Sequence, residues 1–220
     1  MEQDDIVHVV DVDIVSDVVC PWCIIGFLQL RRALAMTGLG ARVRWHPFEL
    51  NPEMGPEGQN LTEHVAEKYG ATPEQSREAR ARLVGIGREL GFEFAYDDTS
   101  RMVNTFLAHQ LLDWAAERGQ QHPLKLALFA AYFTDGRDVS DAEVLVETAG
   151  TIGLDMEAAR AVLHSGERAE RVRQKEAHWL SAGIQGVPTM CIDGKYVMTG
   201  AQDAAVYADA IRASAQLPAV

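Results

Sequence analysis

Hydrophobic and polar positions change their period several times along the chain. From Ile6 to Val15, valine and isoleucine dominate, with His8, Asp11 and Asp13 interspersed, the pattern of a β-strand. From Pro21 to Ala35 the apolar residues Ile24, Phe27, Leu28 and Leu34 recur at helical spacing, and Gly38 and Gly40 close the run. Ala41 to Leu50 alternates, with Val43, Trp45 and Pro47 set against Arg44, His46 and Phe48, and stops at Asn51-Pro52. Strand, helix and strand in succession have the length of a βαβ unit.

The middle of the chain reads differently. From Leu61 to about Gly183 the patterns are helical. Thr72-Pro73-Glu74-Gln75 supplies an N-cap residue, a proline in the first turn and a glutamine at the third position, so a helix should run from there to about Leu90, where Gly91 stops it. Ser100 should start another, with Met102, Val103, Phe106, Leu107, Gln110, Leu111 and Trp114 on adjoining turns, of which Met102, Phe106 and Trp114 read as core. Further helices are expected over 122–134, 140–152, 155–164 and 167–182. The end returns to β: Val187–Ile192 as a strand, Asp193-Gly194 as a hairpin turn, Lys195–Met198 as the return strand, then a helix from Asp203 to Ala215. Helices between two β-rich ends predict an α/β core carrying a helical insertion. The divisions are 1–52 and 161–220 for the core and 53–160 for the insertion.

Composition narrows the function. The 220 residues are 47% apolar and 24% charged, which excludes a mainly disordered chain. A net charge of −12 with no basic stripe argues against nucleic acid and against an anionic membrane surface. The acidic start, Met-Glu-Gln-Asp-Asp, is unlike a secretory signal, and no apolar run is long enough to span a bilayer, so the expected compartment is the cytoplasm. Thiols there are kept reduced. Three cysteines, Cys20, Cys23 and Cys191, are too few for a disulfide scaffold. A close pair in a reducing compartment points to redox chemistry or to metal.

The pair lies in Ser16-Asp17-Val18-Val19-Cys20-Pro21-Trp22-Cys23, between a strand and a helix. Helix N-termini carry unpaired N–H groups and the positive end of the dipole, so Cys20 should have a depressed pKa. Cys23 falls one turn on, on the same face, and should be more buried and less acidic. That asymmetry suits dithiol exchange, in which one sulfur attacks a disulfide and the second resolves the mixed disulfide. Pro21 stiffens the turn and Trp22 adds an apolar flank. A zinc site would need two more ligands, and only the solitary Cys191 remains, so no metal is expected. Cys191, alternating with Met190 and Ile192, reads as a core residue.

The Cys-x-x-Cys after the first strand, together with Gly186-Val187-Pro188-Thr189 before a hairpin, resembles the thioredoxin superfamily. The helical insertion resembles its DsbA branch. Ser16-Asp17-x-x-Cys20-Pro21-Trp22-Cys23-x-x-Gly26, Pro47-Phe48-Glu49-Leu50-Asn51-Pro52 and Asn104-Thr105-x-x-Ala108-His109 together resemble its cytoplasmic FrnE-like members. The resemblance implies a thioredoxin-like α/β fold with a large all-helical insertion. It implies Cys20 as the exposed nucleophile, Cys23 as the resolving thiol, and Pro188 as a cis-proline facing them. Val187 would pair with an extended substrate segment. One departure stands out: where many relatives hold a buried acid six residues before the first cysteine, this chain has Ile14, with Asp13 and Asp17 assigned by period 2 to the other face. The group that handles the Cys23 proton is therefore unnamed. His109 is a weaker candidate, placed in a groove between domains, and Phe48-Glu49 is expected to cap or pack.

The implied activity is thiol–disulfide exchange by a disulfide reductase or isomerase. Its partners would be disulfide-containing proteins or small thiols, with no bound cofactor and glutathione as an optional co-substrate. The alternative is a glutathione-dependent isomerase or transferase like the hydroxychromene-carboxylate isomerases and kappa-class transferases, which carry a single Ser or Cys where this chain has a pair. A third reading is a non-catalytic module whose groove holds a partner's strand. Oligomeric state is not legible.

Overall fold

Strand β1, Val9–Ser16, is an inner strand of the main sheet. It is followed by helix α1, Pro21–Thr37, and by strand β2, Gly40–Pro47, which returns parallel to it. These come from a computed structural model that describes residues 9–216, so Ile6 to His8 of the expected first strand lie outside the described residues. Strands β5, Thr189–Ile192, and β6, Tyr196–Thr199, complete a four-stranded sheet in the order β2-β1-β5-β6, with β5 antiparallel to both neighbours. Asp193 and Gly194 both have positive φ, 49° and 66°, as a tight hairpin turn requires. Helix α9, Ala204–Ser214, closes the chain.

Register decides which face is core. Ile14 lies opposite Trp45 and Met190, and Val12 opposite Val43 and Ile192, all on one face. That face is buried under Ile24, Phe27 and Leu28 of α1 and under Tyr207 and Ile211 of α9. The other face carries ion pairs, Asp11 with Arg42 and Asp13 with Arg44.

Between β2 and β5 lie the remaining elements. Ribbon strands β3, Gln59–Asn60, and β4, Arg101–Met102, pair antiparallel. The helices are α2 (Leu61–Tyr69), α3 (Pro73–Leu90), α4 (Phe106–Ala116), α5 (Gln121–Phe133), α6 (Ala142–Thr151), α7 (Met156–Ser165) and α8 (Ala169–Ser181). A second core, with Leu111, Trp114, Leu124, Leu128, Leu145 and Val162, holds them together. Thr72 and Gln75 form the expected capping box at the start of α3.

The structure corrects four expectations about elements. No helix starts at Ser100: Arg101–Met102 pair with Gln59–Asn60, and the Asn104 side chain accepts the Phe106 N–H at 2.9 Å, so the helix begins there. Helix α2, capped by Asn60 accepting from Thr62 and Glu63, opens the stretch read as helical from Leu61 and stands as a separate helix ahead of the six that were given bounds. Strand β2 ends at Pro47 rather than Leu50, because the Leu50 N–H turns inward to Asp17 Oδ2 at 2.7 Å. Strand β5 begins at Thr189, two residues after the expected start.

Candidate active site

Cys20 is the N-cap residue of α1, and Pro21 occupies the first turn, where its missing N–H leaves no bond unmade. The Cys23 N–H donates to the Cys20 carbonyl at 3.0 Å, winding the first turn so that both cysteines share one end of the helix. Across from them the Val187–Pro188 peptide bond is cis. Gly26, one turn further along α1, lets that loop approach: a Cβ there would stand 3.3 Å from Pro188 Cγ and from Met190 Cε. The Cys20 thiol donates to the Val187 carbonyl at 3.7 Å. Trp22 is 42% exposed beside them, Pro21 and Val187 are half-buried, and Pro188 is buried.

All three cysteines are free thiols. Contrary to the expectation of an exposed, acidic Cys20, that residue is 4% exposed, lying under the Val187 carbonyl. Burial raises any thiol. At Cys23 that effect is outweighed by hydrogen bonds with Cys20 and Ser16, by the charge of Lys125 and by a backbone hydrogen bond at Asp17, which hold the thiol below its ordinary range. At Cys20 the hydrogen bond with Cys23, then burial, then the charge on Cys23 push the thiol well above it. The pair therefore carries one negative charge readily and a second with difficulty, and these neighbours favour the inner sulfur for the first. Ser16 and Lys125, both on the Cys23 side, cause the reversal.

Asp17 lies beyond the end of β1, so strand alternation does not govern it. It is buried, and its Oδ1 accepts the Val18 N–H at 2.7 Å while standing 3.3 Å from His109 Nε2. Burial opposes its charge, but His109, the Leu50 N–H and Lys125 hold the carboxyl below its ordinary range. His109 is buried on α4 and lines a narrow crevice with His46, Asp113, Lys125 and Lys175. Glu49 is buried and ion-paired with Arg173, with its pKa raised by burial and by Glu176; Phe48 beside it is half-buried. Cys191 is half-buried on β5, opposite Asp13 and Val197, away from the pair.

Ser16 and Lys125 are the site residues that sequence reasoning missed. The available signal was a single lysine inside Leu124-Lys125-Leu126-Ala127-Leu128-Phe129, a charge on an otherwise apolar helix. Among the described residues, no group of three or more His, Cys, Asp or Glu is placed to hold a metal ion, and no helix is long and apolar enough to cross a membrane.

A Cys-x-x-Cys at a helix N-terminus beside a cis-proline loop, on a sheet of this order, is the arrangement of a thioredoxin-like domain. The chain belongs to the DSBA-like thioredoxin domain family, whose profile matches residues 11–212. A probable DsbA oxidoreductase from Streptomyces coelicolor is 33% identical, with a TM-score of 0.89 over 96% of this chain and 92% of that one. The uncharacterized protein YwbO of Bacillus subtilis is 27% identical over 203 residues, 92% of this chain and 96% of its own. The cytosolic disulfide reductase DsbM from Pseudomonas aeruginosa, in a structure with GSH, shares the fold at a TM-score of 0.61 and 18% identity, over 94% of this chain and 97% of that one.

Proposed function

We propose that the protein is a dithiol–disulfide oxidoreductase of the FrnE-like kind, acting as a reductase or isomerase on disulfide-containing proteins or small disulfides. The observation that carries this reading is the pair of free cysteines at the start of α1, with the Cys20 sulfur set against the Val187 carbonyl. As substrate approaches, the Cys20 proton moves to Cys23 along their hydrogen bond, leaving Cys20 as the thiolate. Cys20 attacks a substrate sulfur, forming a mixed disulfide and expelling one substrate thiolate. Cys23, ionised again, attacks Cys20, closing the Cys20–Cys23 disulfide and expelling the second. The pair loses two electrons to the substrate; its one proton passes to a leaving thiolate, and the other leaving thiolate takes its proton from solvent. Val187 offers backbone groups to an extended substrate segment, and Trp22 and Pro21 form its apolar rim. No bound cofactor takes part. Glutathione serves as the thiol that returns the pair to the reduced state, in the cytoplasm, consistent with the DsbM structure's GSH.

The presence of Cys23 argues against the glutathione-dependent isomerase or transferase alternative, which needs a single nucleophile. The test is the reduction potential of the pair, measured by equilibration in glutathione buffers, alkylation and intact mass. A value near about −270 mV identifies a reductase, and one near about −180 mV an isomerase or oxidant. If no intramolecular disulfide forms at any poise, the dithiol reading is wrong and the alternative takes its place.

A further inference from the structure

Lys125, on helix α5, is fully buried. A buried ammonium is costly unless a negative charge and hydrogen bonds compensate it. Among the described residues its one hydrogen bond is long, from Nζ to the Ser16 carbonyl at 3.4 Å. The rings of Trp45 and Phe129 lie 5.4 and 5.0 Å from Nζ and supply only cation–π attraction.

The neighbouring carboxylates are already engaged. Asp17 faces His109 and accepts the N–H groups of Val18 and Leu50. Asp113, on α4, is matched by Lys175, Arg168 and Arg171. The other titratable groups around the crevice are His46 on β2 and His109 on α4; on α5 itself, His122 is turned to the Trp45 indole. Of these, only Asp17 also offers charge to Lys125, and it divides that charge with His109. The second source of negative charge is the cysteine pair at the other end of the same turn: Lys125 donates to the carbonyl of Ser16, the last residue of β1, four residues before Cys20.

We propose that Lys125 is the counter-charge of the reduced Cys20–Cys23 pair, a positioning residue that stabilises the dithiol state relative to the disulfide. The inference rests on the dithiol reading above. Burial draws the Lys125 ammonium down to about 8, while the charges of Cys23, Asp17 and Cys20 hold it up. Closing the disulfide removes the thiolate, so the oxidised protein holds the Lys125 proton less tightly. Through the same linkage, the ammonium makes the pair a stronger oxidant than its sulfurs alone would be.

The chain has four lysines, Lys68, Lys125, Lys175 and Lys195, so isotope-labelled lysine gives a spectrum simple enough to titrate each side chain by NMR. The expected result is one lysine whose midpoint falls by about one pH unit, about tenfold in proton affinity, when the pair is oxidised. The same midpoint in both redox states overturns the proposal, and this measurement needs no variant. In Lys125→Met, the glutathione equilibrium at neutral pH should shift about tenfold toward the disulfide, or about 30 mV for a two-electron couple. The shift should vanish in acid, where no thiolate exists to be stabilised. A merely structural lysine would lower stability and leave the equilibrium and its pH profile unchanged. If the wild-type pair forms no disulfide, the dithiol reading fails on its own. The counter-charge is then read from ultraviolet thiolate absorbance of the reduced protein, where Lys125→Met should move the first ionisation about one pH unit higher, a tenfold tighter hold on the proton, and an unchanged curve overturns the proposal.

Discussion

Cys20 and Cys23 differ in what surrounds them more than in how far they are buried. Cys20 meets the Val187 carbonyl and the Cys23 N–H; Cys23 meets Ser16 and the field of Lys125. The two serine variants should therefore fail differently. Cys20→Ser removes the sulfur on the substrate side, so exchange activity should drop to background with no adduct formed. Cys23→Ser keeps the attacking sulfur but removes the resolving one, so intact mass should show a mixed disulfide that persists until external thiol is added. The same adduct accumulating on Cys20→Ser would reverse the assigned roles. The motif and its place between strand and helix were legible in the sequence because both are local. The ionisation order was not, because Lys125 comes from more than a hundred residues away and its burial is a property of tertiary packing.

At the scale of elements, β2 is an edge of the sheet, and an edge exposes unpaired backbone groups. Helix α5 covers this one with a side chain. The Gln121 amide accepts the Trp45 N–H at 3.0 Å and donates to the Trp45 carbonyl at 2.9 Å, pairing with the strand as a neighbouring strand would. Gln121→Ala leaves both groups without those bonds and should cost about 2 kcal/mol, read as a lower denaturant midpoint with an unchanged slope. A loss near zero would mean that water replaces the amide fully. Non-local pairing of this kind is also what the sequence pattern could not show elsewhere. The apolar residues Met102, Val103 and Phe106 sit at helical spacing, yet Met102 is held in β4 by Gln59, more than forty residues earlier. The α3 capping box and the Asp193-Gly194 turn were legible because each is decided within four residues.

In the whole molecule, the sheet core and the helical core meet along α5, which carries Gln121 and His122 at its start and Lys125 one turn later. The joint at His122 is sensitive to pH. Trp45 Nε1–H donates to His122 Nδ1 at 2.9 Å, so that nitrogen must be unprotonated and the ring neutral. Burial lowers the His122 pKa from its ordinary 6.5, and His64 is lowered for the same first cause. A histidine that is harder to protonate in the native state leaves the unfolded chain binding more protons. Its contribution is complete above pH 6.5 and is lost as pH falls through that value toward the folded one. Asp13 and Asp17 act in a lower window: both are depressed below 3.8, and their stabilisation is lost as pH falls through their folded values. The two windows separate, so the histidine effect can be isolated. His122→Gln keeps an acceptor for the Trp45 indole but cannot titrate. Its denaturant midpoint should fall less steeply than the wild type's between about pH 7 and pH 5, with the remaining slope set by His64 and, in the opposite sense, by Glu49 and Glu176, whose carboxyls burial raises. Parallel slopes would show that the joint tolerates a charged His122. Because the same helix carries Lys125 to the cysteines, a joint that loosens in acid should also blunt the site's response to that lysine, and the redox equilibrium of His122→Gln should be less sensitive to acid than that of the wild type.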